Sequence, residues 1–225
     1  MKTQILYRFF KASDGIDTLE RGRLRIGRIA GFSDPFEWRP GIRAECAGSL
    51  LKTQAVIETA FSEMNKQFGL ICFSSSCREP VLWSHYGESH RGIAIEFELP
   101  CGPSLERVEY CDDRVTIEPQ WIGDSGQKDI LSQALTKVTV RKSTGWSYER
   151  EWRLSVTLRE EDHHEGSYWV EFDKVANVKR VILGEFCPAW VELAIRRLLA
   201  AHEGYSHVVL TRGRRSHHTC LVDIE

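Results

Sequence analysis

The 225-residue chain predicts an α+β fold in a single domain, residues 1–225. Three observations carry that expectation. Long helical patterns are confined to 49–68, 130–140 and 189–201. Short apolar or alternating runs bounded by Gly, Pro, Asp and Ser fill much of the remainder, and those late in the chain read as antiparallel strands. No internal repeat and no low-complexity linker divides the sequence.

Taken in order, Ile5 to Phe10 is a β-type run that Asp14-Gly15 breaks, and Thr18 to Gly22 reads as one helical turn closed by glycine. Leu24 to Ile26 is a short strand. The stretch from Gly31 to Glu37, with Pro40-Gly41 beyond it, is a punctuated loop. Between Ser49 and Phe68, apolar residues at 50, 51, 55, 56, 60, 61, 64 and 68 predict an amphipathic helix. Leu70 to Ser76 is a strand entering a serine run, and Pro80 opens a short helix over Val81 to Tyr86. Ile93 to Leu99 and Arg107 to Cys111 read as strands. Asp124-Ser125-Gly126 is a turn before the helix Ile130 to Val140. Strands follow at 149–158, 167–172 and 178–183, then the helix Ala189 to Ala201. A strand at 207–211 precedes the basic stretch Arg212 to Arg215, and Leu221 to Ile224 returns as an edge strand.

Composition narrows the classes. Hydrophobic residues make up 42% and charged residues 28%, which supports a packed core and excludes a disordered chain. A net charge of −2 argues against a globally basic nucleic-acid binder, although local arginine clusters remain. No apolar run reaches the ~20 residues of a membrane helix, and the N-terminal stretch lacks the pattern of a signal peptide. The expected setting is cytoplasmic, with no membrane partner. Seven cysteines without a C-x-x-C pair read as free thiols.

Four constellations carry chemistry. In a strand, Glu149, Glu151 and Arg153 share one face and Arg150, Trp152 and Leu154 the other. The two carboxylates then lie roughly 7 Å apart, close enough to hold two groups of one substrate. On its own the pattern is also that of a charged sheet edge. Ser74, Ser75 and Ser76 at a strand end offer hydroxyls to a carboxylate or ribose, or cap a turn. Trp83 to Gly92 packs His85 and Tyr86 between a helix and a strand, and His85 serves either as a proton carrier or as a packed helix end. Cys72 with His85 matches a nucleophile–base pair by residue type alone. Arg8, between Tyr7 and Phe9 on the first strand, needs a partner: a carboxylate of this chain, or a phosphate. The pairs His163-His164 and His217-His218 lie in polar loops and are not read as metal ligands.

In order and spacing the chain resembles an uncharacterised family, domain of unknown function 2971. The residues that carry the likeness are Leu6-Tyr7-Arg8-Phe9, Phe32 to Glu37, Leu82 to Tyr86, His90-Arg91-Gly92, Val108-x-Tyr110, Lys142 with Trp146 to Arg153, and Val181 to Gly184. The family usually has asparagine where Ser33 stands. Arg8, Ser74-Ser75-Ser76 and Glu149-Arg150-Glu151 also resemble, in that order, the motifs of arginine–serine–glutamate ADP-ribosyltransferases, with Ser75 where threonine is usual. That resemblance implies sheets forming a cleft and an enzyme that uses NAD as substrate, cleaves the nicotinamide–ribose bond and transfers ADP-ribose to a protein or nucleic-acid acceptor. A bacterial toxin or phage-defence role is implied with it, together with a neutralising partner if the chain is a toxin. Glu151 would stabilise the charge developing on the ribose, Glu149 would activate the acceptor and Ser74 would brace Glu151. Arg8 would hold a phosphate, and Trp146 or Tyr148 would stack on nicotinamide. Two further readings stand beside it. One is a nucleic-acid binder or enzyme using Arg212 to Arg215 with Arg21, Arg23, Arg25 and Arg28. The other is a non-catalytic nucleotide sensor.

Overall fold

A computed structural model describes residues 2–32, 34–43, 46–122 and 127–225. Ser33 and the turn expected at Asp124-Ser125-Gly126 lie outside the described residues. The chain begins with β1 (Thr3–Phe10), α1 (Ala12–Arg21), β2 (Arg23–Arg28), β3 (Gly41–Ile42), α2 (Ala47–Gln67), β4 (Phe68–Ser74) and α3 (Pro80–His85). It continues with β5 (Ile93–Pro100), β6 (Leu105–Arg107), β7 (Glu109–Tyr110), β8 (Thr116–Ile117), α4 (Lys128–Thr139), β9 (Arg141–Lys142) and β10 (Glu151–Thr157). The last third holds β11 (His163–His164), β12 (Ser167–Glu171), α5 (Phe172–Val175), β13 (Asn177–Leu183), α6 (Ala189–Ala201), β14 (Val209–Arg215) and β15 (Val222–Ile224).

The expected α+β class with mainly antiparallel sheet is what the structure has. The main sheet runs β11-β12-β2-β4-β1-β5-β13-β14-β15, with β10 pairing β4 and β6. Within it only β13 and β14 run parallel. Leu6, Phe10, Leu19, Ile71, Phe97, Val191 and Ile195 belong to one core in which α1 and α6 pack on the sheet. On the other side Trp83 of α3 packs with Ala94, Ile182 and Val222, against Tyr7 and Phe9.

β4 positions the site. One of its edges pairs β10 along its whole length, from Thr157↔Phe68 to Glu151↔Ser74. The other edge is divided. Gly69 and Leu70 pair with Arg28 and Gly27 of β2, whereas Ser74 pairs with Tyr7 of β1. Between those pairings β1 and β2 part, and a cleft opens beside Cys72 and Phe73.

Several expectations are corrected. Asp14-Gly15 does not break the chain but lies inside α1. A Cβ on Gly15 would stand 2.5 Å from Ile93 Cδ1, so the glycine lets the helix lie on β5. The inward stripe of α2 is Thr53 and Ile57, continued by Phe61 and Met64, while Leu50, Leu51 and Val56 of the expected face are exposed. The helix settles on Trp38, Ile117 and Ala134 through that offset stripe. The run expected at 107–111 is split into β6 and β7, which pair with different strands. Arg212 to Arg215 lies within β14 rather than after it.

Gly92 is a backbone crossing point. A Cβ there would come 2.1 Å from the Phe10 carbonyl oxygen and 3.0 Å from that of Gly87. Gly92 is held in place, its N–H donating to Gly87 O (2.9 Å) and its carbonyl accepting from Gly184 N–H (2.9 Å), and Phe10 pairs with the adjacent Ile93. Gly92→Ala is expected to cost about 2–3 kcal/mol, read as a fall of roughly 5 °C or more in thermal midpoint; an unchanged midpoint would show that the crossing is not tight.

Candidate functional site

The cleft has a volume of about 660 Å³, within the range of small-molecule sites. Tyr7, Arg8, Arg25, Arg28, Cys72, Ser74, Tyr86, Lys142, Glu37, Glu149 and Glu151 are among its lining residues. Strand register explains part of this assembly. Paired residues face the same side of a sheet, so Tyr7↔Ser74 and Ser74↔Glu151 place three side chains in a row across β1, β4 and β10. Cys72↔Arg153 forms the next row.

Glu149 reaches the same side by another route. It ends a 3₁₀ turn, Thr144–Glu149, instead of opening the strand. Arg150 then takes a left-handed conformation (φ 46°), and its carbonyl accepts from Ser75 N–H at 3.0 Å. The expected facing of Glu149, Glu151 and Arg153 therefore holds, although the local geometry differs: all three are buried and Arg150 is exposed.

Those carboxylates sit in a buried ion cluster. Arg153 grips Glu151 with two nitrogens, Nε to Oε1 at 2.9 Å and Nη2 to Oε2 at 3.1 Å. Arg153 also donates to Glu37 and, at 2.7 Å, to the Thr139 carbonyl. Lys142 Nζ lies 2.5 Å from Glu149 Oε2, 3.2 Å from Glu151 Oε2 and 3.6 Å from Glu37 Oε1. The Tyr86 hydroxyl donates to Glu149 Oε1 at 2.6 Å, and the Tyr110 hydroxyl accepts from Glu151 N–H at 2.7 Å. Three carboxylates, Glu37, Glu149 and Glu151, thus face two cations, Lys142 and Arg153.

The protonation states follow from that arrangement. Burial alone would raise the Glu151 carboxyl, but Arg153 and then Lys142 outweigh it and hold it below its ordinary value. Glu37 moves the other way: burial raises it, and the pull of Arg153 and Lys142 does not compensate. Lys142 is held firmly protonated, since its carboxylate neighbours overcome the cost of burial. Burial pushes the Tyr110 hydroxyl up to about 12. The Cys72 thiol is pushed well up, by burial first and by Glu151 next.

Arg8 has a different environment. Its Nη1 donates to the Arg25 carbonyl at 3.2 Å, across the gap between β1 and β2, and its guanidinium lies 5.5 Å from the Phe10 ring. No carboxylate pairs with it among the described residues. Of its two expected kinds of partner, the internal acid is missing.

The structure thus brings Arg8, Ser74, Tyr86, Glu149 and Glu151 to one cleft, and leaves other candidates outside its lining. Ser75 is exposed and its hydroxyl donates to the Arg150 carbonyl at 3.3 Å. Ser76 serves the strand end, its N–H on Ser74 Oγ (3.1 Å) and its Oγ accepting from Arg78 N–H (3.2 Å). No hydrogen bond joins Ser74 to Glu151 among the described residues, where Arg153 and Lys142 hold that carboxylate. The Trp146 ring lies 4.8 Å from Lys142 Nζ and is outside the lining. His85 and Tyr148 meet each other, Nδ1 to hydroxyl at 3.4 Å, outside the lining. With its thiol kept protonated and no bond to His85, Cys72 is not an activated nucleophile. Lys142 and Glu37 were not expected in the site; Arg153 was expected on the face of Glu149 and Glu151 but was given no role there. The one available signal was general: two buried acids on one strand face require nearby cations.

Comparison with known families falls on this region. Residues 82–154 match the family described as Protein of unknown function (DUF2971). The resemblance read from the sequence is borne out over that segment. The DUF2971 match holds Tyr86, Lys142, Glu149, Glu151 and Arg153, and Arg8 and Ser74 precede it. No curated protein matches the chain, and no solved structure matches it.

Removing Lys142 would leave three buried carboxylates against one guanidinium. Lys142→Met is expected to destabilise the fold by about 3–5 kcal/mol, measured by urea unfolding, and a loss below about 1 kcal/mol would contradict the buried cluster. Glu151 also sets a pH signature. Its folded pKa lies below the ordinary 4.5, so its contribution is present above that value and lost as pH falls through the folded one. The thermal midpoint of unfolding should fall as the pH drops below 4.5, with a shallower acid limb in Glu151→Gln; identical limbs would show that Glu151 is not paired.

Proposed function

We propose that the chain is an ADP-ribosyltransferase-like enzyme that cleaves NAD at the nicotinamide–ribose bond and passes ADP-ribose to a protein or nucleic-acid acceptor. The observation that carries this reading is the polarity of the cleft. Arg8, without a carboxylate partner, lines a cleft whose other charged wall is the carboxylate-rich cluster around Glu151. NAD has the complementary polarity, with an anionic diphosphate and a cationic nicotinamide. The division of β4 between β1 and β2 supports an ADP-ribosyltransferase-like sheet arrangement, because it supplies the cleft that such a fold requires.

The residues divide the work as follows. Glu151, held ionised, stabilises the positive charge that develops on the ribose as the C–N bond breaks and its electron pair leaves with nicotinamide. Arg153 and Lys142 fix the carboxylate, so little reorganisation accompanies that charge. Glu149 takes the proton of the acceptor nucleophile as it bonds to the ribose carbon. Arg8 binds a phosphate through its planar fork. A cytoplasmic setting fits the free thiols of all seven cysteines, and no described helix is long and apolar enough to cross a membrane.

The nucleic-acid reading draws less support. Arg212 pairs with Glu192 at 2.5 Å, and Arg214 and Arg215 approach Glu185, each at 3.9 Å. Within that stretch Arg212 is therefore paired, while Arg214 and Arg215 share Glu185.

Nicotinamide release from NAD tests the proposal. Wild type should release it and Glu151→Gln should do so at least about a hundredfold more slowly, with circular dichroism confirming that the variant is folded. Equal rates, or no release with any acceptor offered, would overturn it. NAD-induced thermal stabilisation without release would indicate a nucleotide sensor instead.

A further inference from the structure

We propose that Arg25 and Arg28 of β2 form, opposite Arg8, a site for the phosphates of a nucleoside diphosphate group. The proposal deepens the reading above by naming the ligand's anionic part and the residues that select it.

All three arginines line the same cleft. Among the described residues none of the three has a carboxylate within salt-bridge distance, unlike Arg212, Arg214 and Arg215. Their contacts are with neutral groups. Arg8 donates to the Arg25 carbonyl. Arg28 donates to the Asn65 carbonyl and lies 5.2 Å from the Tyr168 ring, while its Nε is buried without a partner. Tyr168 is itself packed against His163, with centroids 4.6 Å apart, so the β11–β12 hairpin holds the Arg28 guanidinium in place. The Arg25 side chain is exposed and makes no hydrogen bond among the described residues.

Three like charges around one cavity repel one another. Burial lowers the Arg8 pKa, and the like charge of Arg25 adds to that effect. An anion bridging them removes the repulsion, and guanidinium forks match phosphate oxygens two at a time. A diphosphate carries oxygens on two phosphorus centres and can meet guanidinium groups on both β1 and β2 at once, which favours it over a single phosphate. The carboxylates of the Glu149–Glu151 cluster disfavour the anion beside them, so it settles against the arginines. A cavity of about 660 Å³ suits a nucleotide rather than a nucleic-acid strand.

Isothermal titration with ADP, inorganic pyrophosphate and adenosine tests the site. Wild type should bind ADP and pyrophosphate but not adenosine. Arg25→Ala, whose side chain has no structural partner, should weaken ADP binding by about tenfold or more, with a smaller salt dependence. Arg28→Lys keeps the charge but loses the fork and should also weaken binding. Equal ADP affinity in wild type, Arg25→Ala and Arg28→Lys would overturn the proposal, as would absence of ADP binding or tighter binding of a single-stranded oligonucleotide than of ADP. The two readings fail separately. Arg25-dependent ADP binding without nicotinamide release removes the activity and keeps the site. Nicotinamide release with an unchanged KM for NAD in Arg25→Ala removes the site and keeps the activity.

Discussion

The paired grip of Arg153 and Lys142 on Glu151 is the constraint on which the site depends. Taking ions out of water costs several kcal/mol each, and mutual attraction offsets this only when geometry and hydrogen bonds are complete. Here Arg153 uses Nε and both terminal nitrogens, on Glu151, Glu37 and the Thr139 carbonyl. Lys142 lies against all three carboxylates. The cluster joins β10, β9 and the segment carrying Glu37, so regions far apart in sequence meet through charge as well as through apolar packing. A core designed for stability alone would place hydrocarbon there. Retaining five buried ionisable groups at the wall of a cleft fits a site that needs a fixed, ionised carboxylate.

The second constraint is the division of β4. A strand shared between β1 at Ser74 and β2 at Gly69 and Leu70 forces those neighbours apart. The backbone groups exposed in the gap need partners, and Arg8 supplies one by donating to the Arg25 carbonyl. One arginine thus bridges the opening while presenting the rest of its guanidinium to the cleft. Strain elsewhere supports the same region. Glu88, Ser89 and His90 all adopt left-handed conformations, with φ of 52°, 52° and 65°, directly after α3 and Tyr86. Such residues cost of order 1–3 kcal/mol each and persist where the surroundings over-determine them. Here Ser89 N–H and His90 N–H bond back to Ser84 and Trp83, so the turn holds the end of α3 that delivers Tyr86 to Glu149.

Much of the fold was legible in the sequence because it depends on local pattern. The helix Ala189–Ala201 ends where its apolar face ends, and β2 alternates buried Leu24 and Ile26 with exposed Arg25 and Gly27. The misread elements were those that tertiary contact overrides. Gly15 reads as a breaker until β5 lies against it, and the inward stripe of α2 is set by Trp38 and Ile117 rather than by its own most apolar face. In the site, the common face of Glu151 and Arg153 followed from alternation, whereas Glu149 reaches it from the end of a 3₁₀ turn. Their partners did not, because Glu37 lies 116 residues from Arg153 and Lys142 joins the pair only through a 3₁₀ turn that strand periodicity does not describe. Trp146 and the outer serines read as ligand contacts by residue type, yet packing and strand-end capping occupy them.

If the cleft takes NAD, Arg8 and the Glu149–Glu151 cluster, which line it together, divide the dinucleotide's charges between them. The most direct measurement is a crystal structure of Glu151→Gln soaked with NAD. The account predicts the diphosphate against Arg8 and the nicotinamide ribose against residues 149 and 151. Density for NAD in the opposite orientation, or outside the gap between β1 and β2, would contradict it.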